Sequence, residues 1–146
     1  MKLVSRSPDD TEEIGFRLGK TLRAGSVVGL YGDLGTGKTT MVKGIARAFG
    51  IHERDVTSAS FTVIAEYPGK PPFYHIDLYR IGAGSDLEST GIWDYIGRDS
   101  VCVIEWAEKL GDAAIRDFIR VRIDDTGNEC REVTIEGVDE KNWNNL

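Results

Sequence analysis

Apolar positions along this 146-residue chain alternate between a strand rhythm and a helix rhythm. Lys2–Ser5 reads as a short strand. Ser7-Pro8-Asp9-Asp10 is a helix start, and Ile14, Leu18 and Leu22 then form one stripe at four-residue spacing. Arg23-Ala24-Gly25 ends that helix. Ser26–Tyr31 is an apolar run of strand length, the pattern of a strand buried on both faces of a parallel sheet. Met41, Ile45 and Phe49 then return to the helix period, with Val42 and Ala46 beside them and Gly50 suited to the C′ position.

Phe61–Tyr67 alternates and is rich in β-formers, which predicts a strand. Pro68-Gly69-Lys70-Pro71-Pro72 is a turn, short enough to make the next strand, Phe73–Ile76, the second arm of a hairpin. After the break at Gly82–Gly84, Ser85 and Glu88 have capping-box spacing for a short helix. Trp93, Tyr95 and Ile96 read as packing residues. Val101–Ile104 is another buried strand. Phe118–Ile123 and Arg131–Ile135, joined by Asp124–Asn128, predict a C-terminal hairpin, and the polar stretch Asp139–Leu146 is expected to be frayed. There is no internal repeat or linker, so residues 1–146 are expected to form a single domain.

Between the Ser26–Tyr31 strand and the following helix lies Gly32-Asp33-Leu34-Gly35-Thr36-Gly37-Lys38-Thr39, which fits G-x-x-x-x-G-K-[ST]. A phosphate chain needs inward-facing backbone N–H groups, and glycines remove the side chains that would block them. Lys38 supplies a point charge for the β and γ oxygens. The Thr39 hydroxyl suits magnesium, and the helix start directs its positive end at the phosphates. Strand, glycine loop and helix occur in the order this chemistry requires. A merely structural Gly-rich turn would have to match the pattern and both flanks by accident.

Two acids end predicted strands: Asp77 after Phe73–Ile76, and Glu105 after Val101–Ile104. Ligands of open α/β sheets sit beyond the carboxyl ends of the strands. Both acids are therefore candidates to face the nucleotide, Asp77 in the Walker-B position; the alternative for Glu105 is a solvated strand end. Thr11, at the entry of the first helix, reads on sequence grounds as a cap or first-turn residue. Ser58, Ser60 and Thr62 are open between ordinary loop polarity and a segment that senses the γ-phosphate. His75 reads as a strand residue whose ring packs or bonds locally.

Composition narrows the partners. Net charge is −6 and the pI about 4.9, which argues against broad electrostatic binding of nucleic acid. Two cysteines make no disulfide framework, and Cys102 lies in an apolar run, as in a reducing compartment. No apolar run approaches membrane-spanning length, so a cytoplasmic protein is expected.

Four linked stretches together resemble the TsaE (YjeE) family: Gly32–Thr40, Thr57–Thr62, Tyr74-His75-Ile76-Asp77-Leu78-Tyr79-Arg80 and Val103-Ile104-Glu105-Trp106. The resemblance runs from about Thr11 to the C-terminal hairpin. It implies an α/β, three-layer P-loop domain, with a mostly parallel sheet and an antiparallel C-terminal hairpin. It also implies a P-loop ATPase, weak alone, that supports formation of N6-threonylcarbamoyladenosine at position 37 of tRNAs reading codons that begin with adenine. Such a protein would act with TsaD and TsaB, touch tRNA only through that complex, and not itself transfer the threonylcarbamoyl group. Carried over, the nucleotide-binding set is Thr11, Gly32, Asp33, Leu34, Gly35, Thr36, Gly37, Lys38, Thr39 and Thr40, for ATP. The resemblance assigns Mg2+ to Thr39 and Glu105, and catalysis to Lys38, Asp77 and Glu105. Ser58-Ala59-Ser60-Phe61 departs from the family's usual Ser-Pro-Thr-Phe: a hydroxyl is kept and the proline is lost. A small-molecule P-loop kinase and a nucleotide-gated binding module with negligible hydrolysis are the alternatives.

Overall fold

The fold is that of a P-loop NTPase-like α/β domain, seen in a computed structural model that describes residues 1–56, 64–82 and 85–145. The expected serine-rich segment Thr57–Thr62, the start of the expected Phe61–Tyr67 strand and Ala83 and Gly84 of the expected break lie outside the described residues. Chain order is β1 (Lys2–Ser5), α1 (Pro8–Thr21), β2 (Val27–Tyr31), α2 (Lys38–Arg47), β3 (Ile64–Tyr67) and β4 (Phe73–Asp77). There follow α3 (Ser85–Ser89), β5 (Val101–Glu105), β6 (Phe118–Gly127), β7 (Cys130–Glu136) and α4 (Glu140–Asn144).

The seven strands form one sheet in the order β1-β7-β6-β2-β5-β4-β3. The centre, β6-β2-β5-β4, is parallel throughout. Strands added at either side are antiparallel: the expected β3–β4 hairpin at one edge, and the β6–β7 hairpin with β1 at the other. The central strands read as unbroken apolar runs because both faces are covered, and Val101 to Ile104 have no exposed surface.

Helices α1 and α2 cover one face over Val28, Leu30, Val103, Val121 and Val133. The other face, including Val27, Ile76, Cys102 and Ile104, packs against Leu87 of α3, Ile92, and Ala107 and Leu110 of a one-turn 3-10 helix. Local chemistry sets α1 as expected: Ser7 is its N-cap and accepts from the Asp10 N–H at 3.0 Å, while Pro8 takes the first helical position.

The C-terminal segment differs from the frayed tail expected from its polarity. Glu140–Asn144 is helical, and Trp143 is 2% exposed within the α1–α2 core, its carbonyl accepting from Arg17 Nη2 at 3.2 Å. One large apolar side chain outweighs the polar composition around it. Among the described residues, no helix is long and apolar enough to cross a membrane.

Candidate functional site

Strand β2 delivers the chain into the Gly32–Gly37 loop, and α2 carries it away. Gly32 has φ +145°, and a Cβ there would lie 2.5 Å from the Ile123 carbonyl oxygen and 2.9 Å from Thr36 Oγ1. The loop can pass β6 only with a hydrogen at that position. Gly37, at φ +111°, is the N-cap of α2 and offers no side chain to its first turn. The positive end of the helix is thus directed into the loop, with leading N–H groups that no side chain caps.

The loop is braced from outside. Thr36 Oγ1 donates to the Asp33 carbonyl at 3.0 Å, Arg131 Nε of β7 donates to the Thr36 carbonyl at 3.0 Å, and Gly32 N–H donates to Glu108 Oε2 at 3.1 Å. Lys38 is folded back onto this frame. Its Nζ donates to the carbonyls of Gly32 (2.5 Å) and Asp33 (2.8 Å) and sits 3.9 Å from the Trp106 ring centroid. Burial lowers its pKa, and the carboxylates of Glu108, Glu105, Asp33 and Asp77 oppose that shift. The ammonium is therefore held within the loop by weak neutral acceptors, which a phosphate oxygen would outcompete.

The two strand-end acids lie side by side. Strands β4 and β5 are parallel with Asp77 level with Glu105, and Glu105 is level with Leu30, two residues before Gly32 on β2. Thr39, in the first turn of α2, donates its hydroxyl proton to Glu105 Oε1 at 3.0 Å. His75 Nε2 lies 2.5 Å from the other oxygen, Oε2. Asp77 is half-buried; burial and then the nearby Glu105 raise its pKa, while the Tyr79 N–H, donating to Oδ1 at 2.9 Å, acts against them.

The donor set fits magnesium. The Thr39 hydroxyl and the Glu105 carboxylate are hard oxygen donors 3.0 Å apart. Adjacent ligands of an octahedral ion with bonds of 2.0–2.1 Å are separated by about 3.0 Å.

The structure brings Gly32–Thr39, Asp77 and Glu105 together in one cluster at the carboxyl edge of the sheet. Asp33 and Leu34 are exposed at the loop tip, and Thr40 is half-buried behind Thr39. Thr11 is buried in the first turn of α1, with its hydroxyl 2.7 Å from Ser5 Oγ and its methyl turned toward Gly37. It borders the loop while its hydroxyl is engaged elsewhere. Sequence reasoning names His75 only as a strand residue that packs or bonds locally, and it does not name Glu108 and Arg131, which brace the loop. His75 was readable as a neighbour of Asp77, two residues away and so on the same face of the strand. Glu108 carries the weaker signal of a second acid one turn after Glu105. Arg131 reaches the loop only through the register of the C-terminal hairpin, which has no local signature.

Comparison with known proteins is consistent with this geometry. The family profile described as "Threonylcarbamoyl adenosine biosynthesis protein TsaE" matches residues 5–133. The tRNA threonylcarbamoyladenosine biosynthesis protein TsaE of Treponema pallidum is 38% identical over 135 residues, covering 92% of this chain and 99% of that protein. The protein of the same name from Streptomyces coelicolor is 40% identical over 136 residues, covering 88% and 91%. Among solved structures, Bacillus subtilis YdiB superposes with a TM-score of 0.77 at 32% identity, covering 97% of this chain and 87% of that one.

Proposed function

The chain belongs to the TsaE family, and on that premise we propose that it is a magnesium-dependent ATPase serving threonylcarbamoyladenosine formation in tRNA. The observation that carries the reading is the Thr39–Glu105 hydrogen bond at the uncapped head of α2. It places two hard oxygen donors beside a loop shaped to enclose phosphates.

In this reading, the loop amides from Gly32 to Thr40 hold the phosphate chain. Lys38 leaves the Gly32 and Asp33 carbonyls for the β and γ oxygens, where an anionic acceptor replaces two neutral ones. Thr39 and Glu105 hold the magnesium, which when bound neutralises charge on the phosphate oxygens. Asp77, level with Glu105, orients the attacking water. Thr11 borders the nucleotide at the α1 end of the loop. Trp106, its ring tilted against Tyr79 at 5.1 Å between centroids, lies under the lysine ammonium.

The partners in this reading are TsaD and TsaB, in the cytoplasm. A net charge of −6 opposes a phosphate backbone over most of the surface, so tRNA is held by the partners and this chain contributes a nucleotide-driven change. Phosphate release from ATP, measured with and without TsaD and TsaB, tests the proposal. Slow release alone, faster release in the mixture and nucleotide-dependent association are expected. Transfer of the phosphoryl group to a small acceptor would establish a kinase instead. Partner association unchanged by loss of hydrolysis would establish a gated module.

A further inference from the structure

We infer that His75 is a positioning residue that fixes the carboxylate of Glu105; this rests on the magnesium–nucleotide reading. His75 lies in β4, between β3 and β5, and has no exposed surface. Its Nε2 is 2.5 Å from Glu105 Oε2, and among the described residues its Nδ1 has no hydrogen-bond partner. An aliphatic side chain would fill the same space without leaving a buried nitrogen unpaired. The imidazole is thus accounted for by its contact with Glu105 rather than by packing.

The contact has a geometric consequence. The terminal torsion of a glutamate is soft, so one anchor leaves its second oxygen free to swing. Among the described residues the Glu105 carboxylate has two anchors: Thr39 on Oε1, from α2, and His75 on Oε2, from the neighbouring strand. His75 holds Oε2 whether or not the Thr39 hydroxyl is engaged with Oε1, so Oε1 stays directed at the head of α2. The same logic selects the tautomer. With the proton on Nε2, the ring donates to the carboxylate and only a lone pair is unmatched at Nδ1. With it on Nδ1 alone, an N–H would be unpaired and two acceptors would face each other 2.5 Å apart.

The test compares ADP affinity, by calorimetry, with magnesium present and with EDTA, in wild type, His75→Phe, His75→Gln and His75→Asn. The quantity read is the magnesium-dependent gain in affinity. His75→Phe and His75→Asn, one lacking a donor and the other too short to reach, should lose about 10-fold or more of that gain, the range for outer-shell partners of a metal ligand. Their affinities in EDTA should stay within about twofold of wild type, because the loop itself is intact. His75→Gln, whose amide nitrogen reaches the Nε2 position, should restore the gain. A gain retained in His75→Asn, or an equal loss with magnesium and with EDTA, overturns the inference. So does a His75→Gln variant as deficient as His75→Asn. The Gln and Asn pair decides the matter if His75→Phe does not fold. Two-bond 1H–15N spectra of the wild type should show the proton on Nε2; a ring protonated on Nδ1 alone refutes the inference. If the wild type itself shows no magnesium gain, the magnesium reading falls and this inference with it. A wild-type gain that survives in His75→Asn removes this inference alone.

Discussion

The Thr39 hydroxyl and Glu105 Oε1, 66 residues apart in sequence, are joined at 3.0 Å. That bond ties the first turn of α2 to the end of β5 and makes a two-oxygen edge beside the loop. Thr39→Ala removes one oxygen and, among the described residues, leaves the Glu105 carboxylate with its His75 contact. Magnesium-dependent ATP hydrolysis should fall at least about tenfold, while Thr39→Ser, which keeps the hydroxyl, should stay near wild type. Steady-state phosphate release at varied magnesium is the measurement. An Ala variant as active as wild type would remove Thr39 from the metal site.

Lys38 separates function from stability. It is 5% exposed, and burial already works against its charge. Lys38→Met keeps the stem and removes the ammonium. Gly32 and Asp33 lose a donor to their carbonyls, but the cost of a buried charge disappears as well. The melting temperature of the nucleotide-free protein should therefore change by no more than about 2–4 °C, the equivalent of roughly 1 kcal/mol at this size. ATP hydrolysis should drop about 100-fold or more, as when a preorganised donor is removed from a developing charge. Unchanged hydrolysis in a folded Lys38→Met protein would refute the phosphate-loop assignment.

The parts of this molecule that sequence reveals are those whose cause is local. The phosphate loop is contiguous, and its chemistry demands particular residues at fixed spacing. The acids Asp77 and Glu105 each end an apolar run, and parallel pairing of β4 with β5 then makes them level. Causes that act through tertiary contact are invisible locally. Arg131 braces Thr36 because β7 returns alongside β6, and no feature of Cys130-Arg131-Glu132 announces it. The C-terminal helix failed to stand out because six polar or charged neighbours from Asp139 to Asn145 surround a single Trp143. That side chain nonetheless finds the α1 surface, where Arg17 stacks over it at 4.5 Å.

The close contact of α1 and α2 also depends on residues that carry little signal. Gly44 faces the Glu12 carbonyl, and a Cβ there would lie 2.9 Å from the Phe16 nitrogen as well as overlapping that carbonyl. Both obstacles are backbone, so neither can rotate away. In an isolated helix Gly→Ala would stabilise by about 1 kcal/mol. Here Gly44→Ala should instead destabilise by about 1–3 kcal/mol, the usual cost of overpacking. Urea unfolding should show a lower midpoint with an unchanged slope. Because α2 presents Lys38 and Thr39, the variant's KM for ATP should rise too. A midpoint above wild type would show that the helices can separate without strain.

Asp77 should display a conflict between stability and activity that depends on pH. Burial raises its pKa above the ordinary 3.8, so in the folded state the ionised form is disfavoured. The sign follows from linkage. Below pH 3.8 the carboxyl is protonated in both folded and unfolded chains, and it contributes no penalty. As pH rises from there through the raised folded value, the unfolded chain ionises more readily, and the folded state loses stability relative to it. Asp77→Asn keeps an oxygen for the Tyr79 N–H and cannot ionise. The variant should therefore melt higher than wild type at neutral pH without nucleotide, and the difference should shrink as pH falls toward 3.8. Its ATP hydrolysis should fall more than its ATP affinity, because orienting water matters to the reaction and not to binding. Thermal melts across pH, paired with hydrolysis and binding assays at neutral pH, test both halves. A variant less stable than wild type at neutral pH would mean that the Asp77 carboxylate is stabilised by its surroundings, and that burial does not dominate its environment.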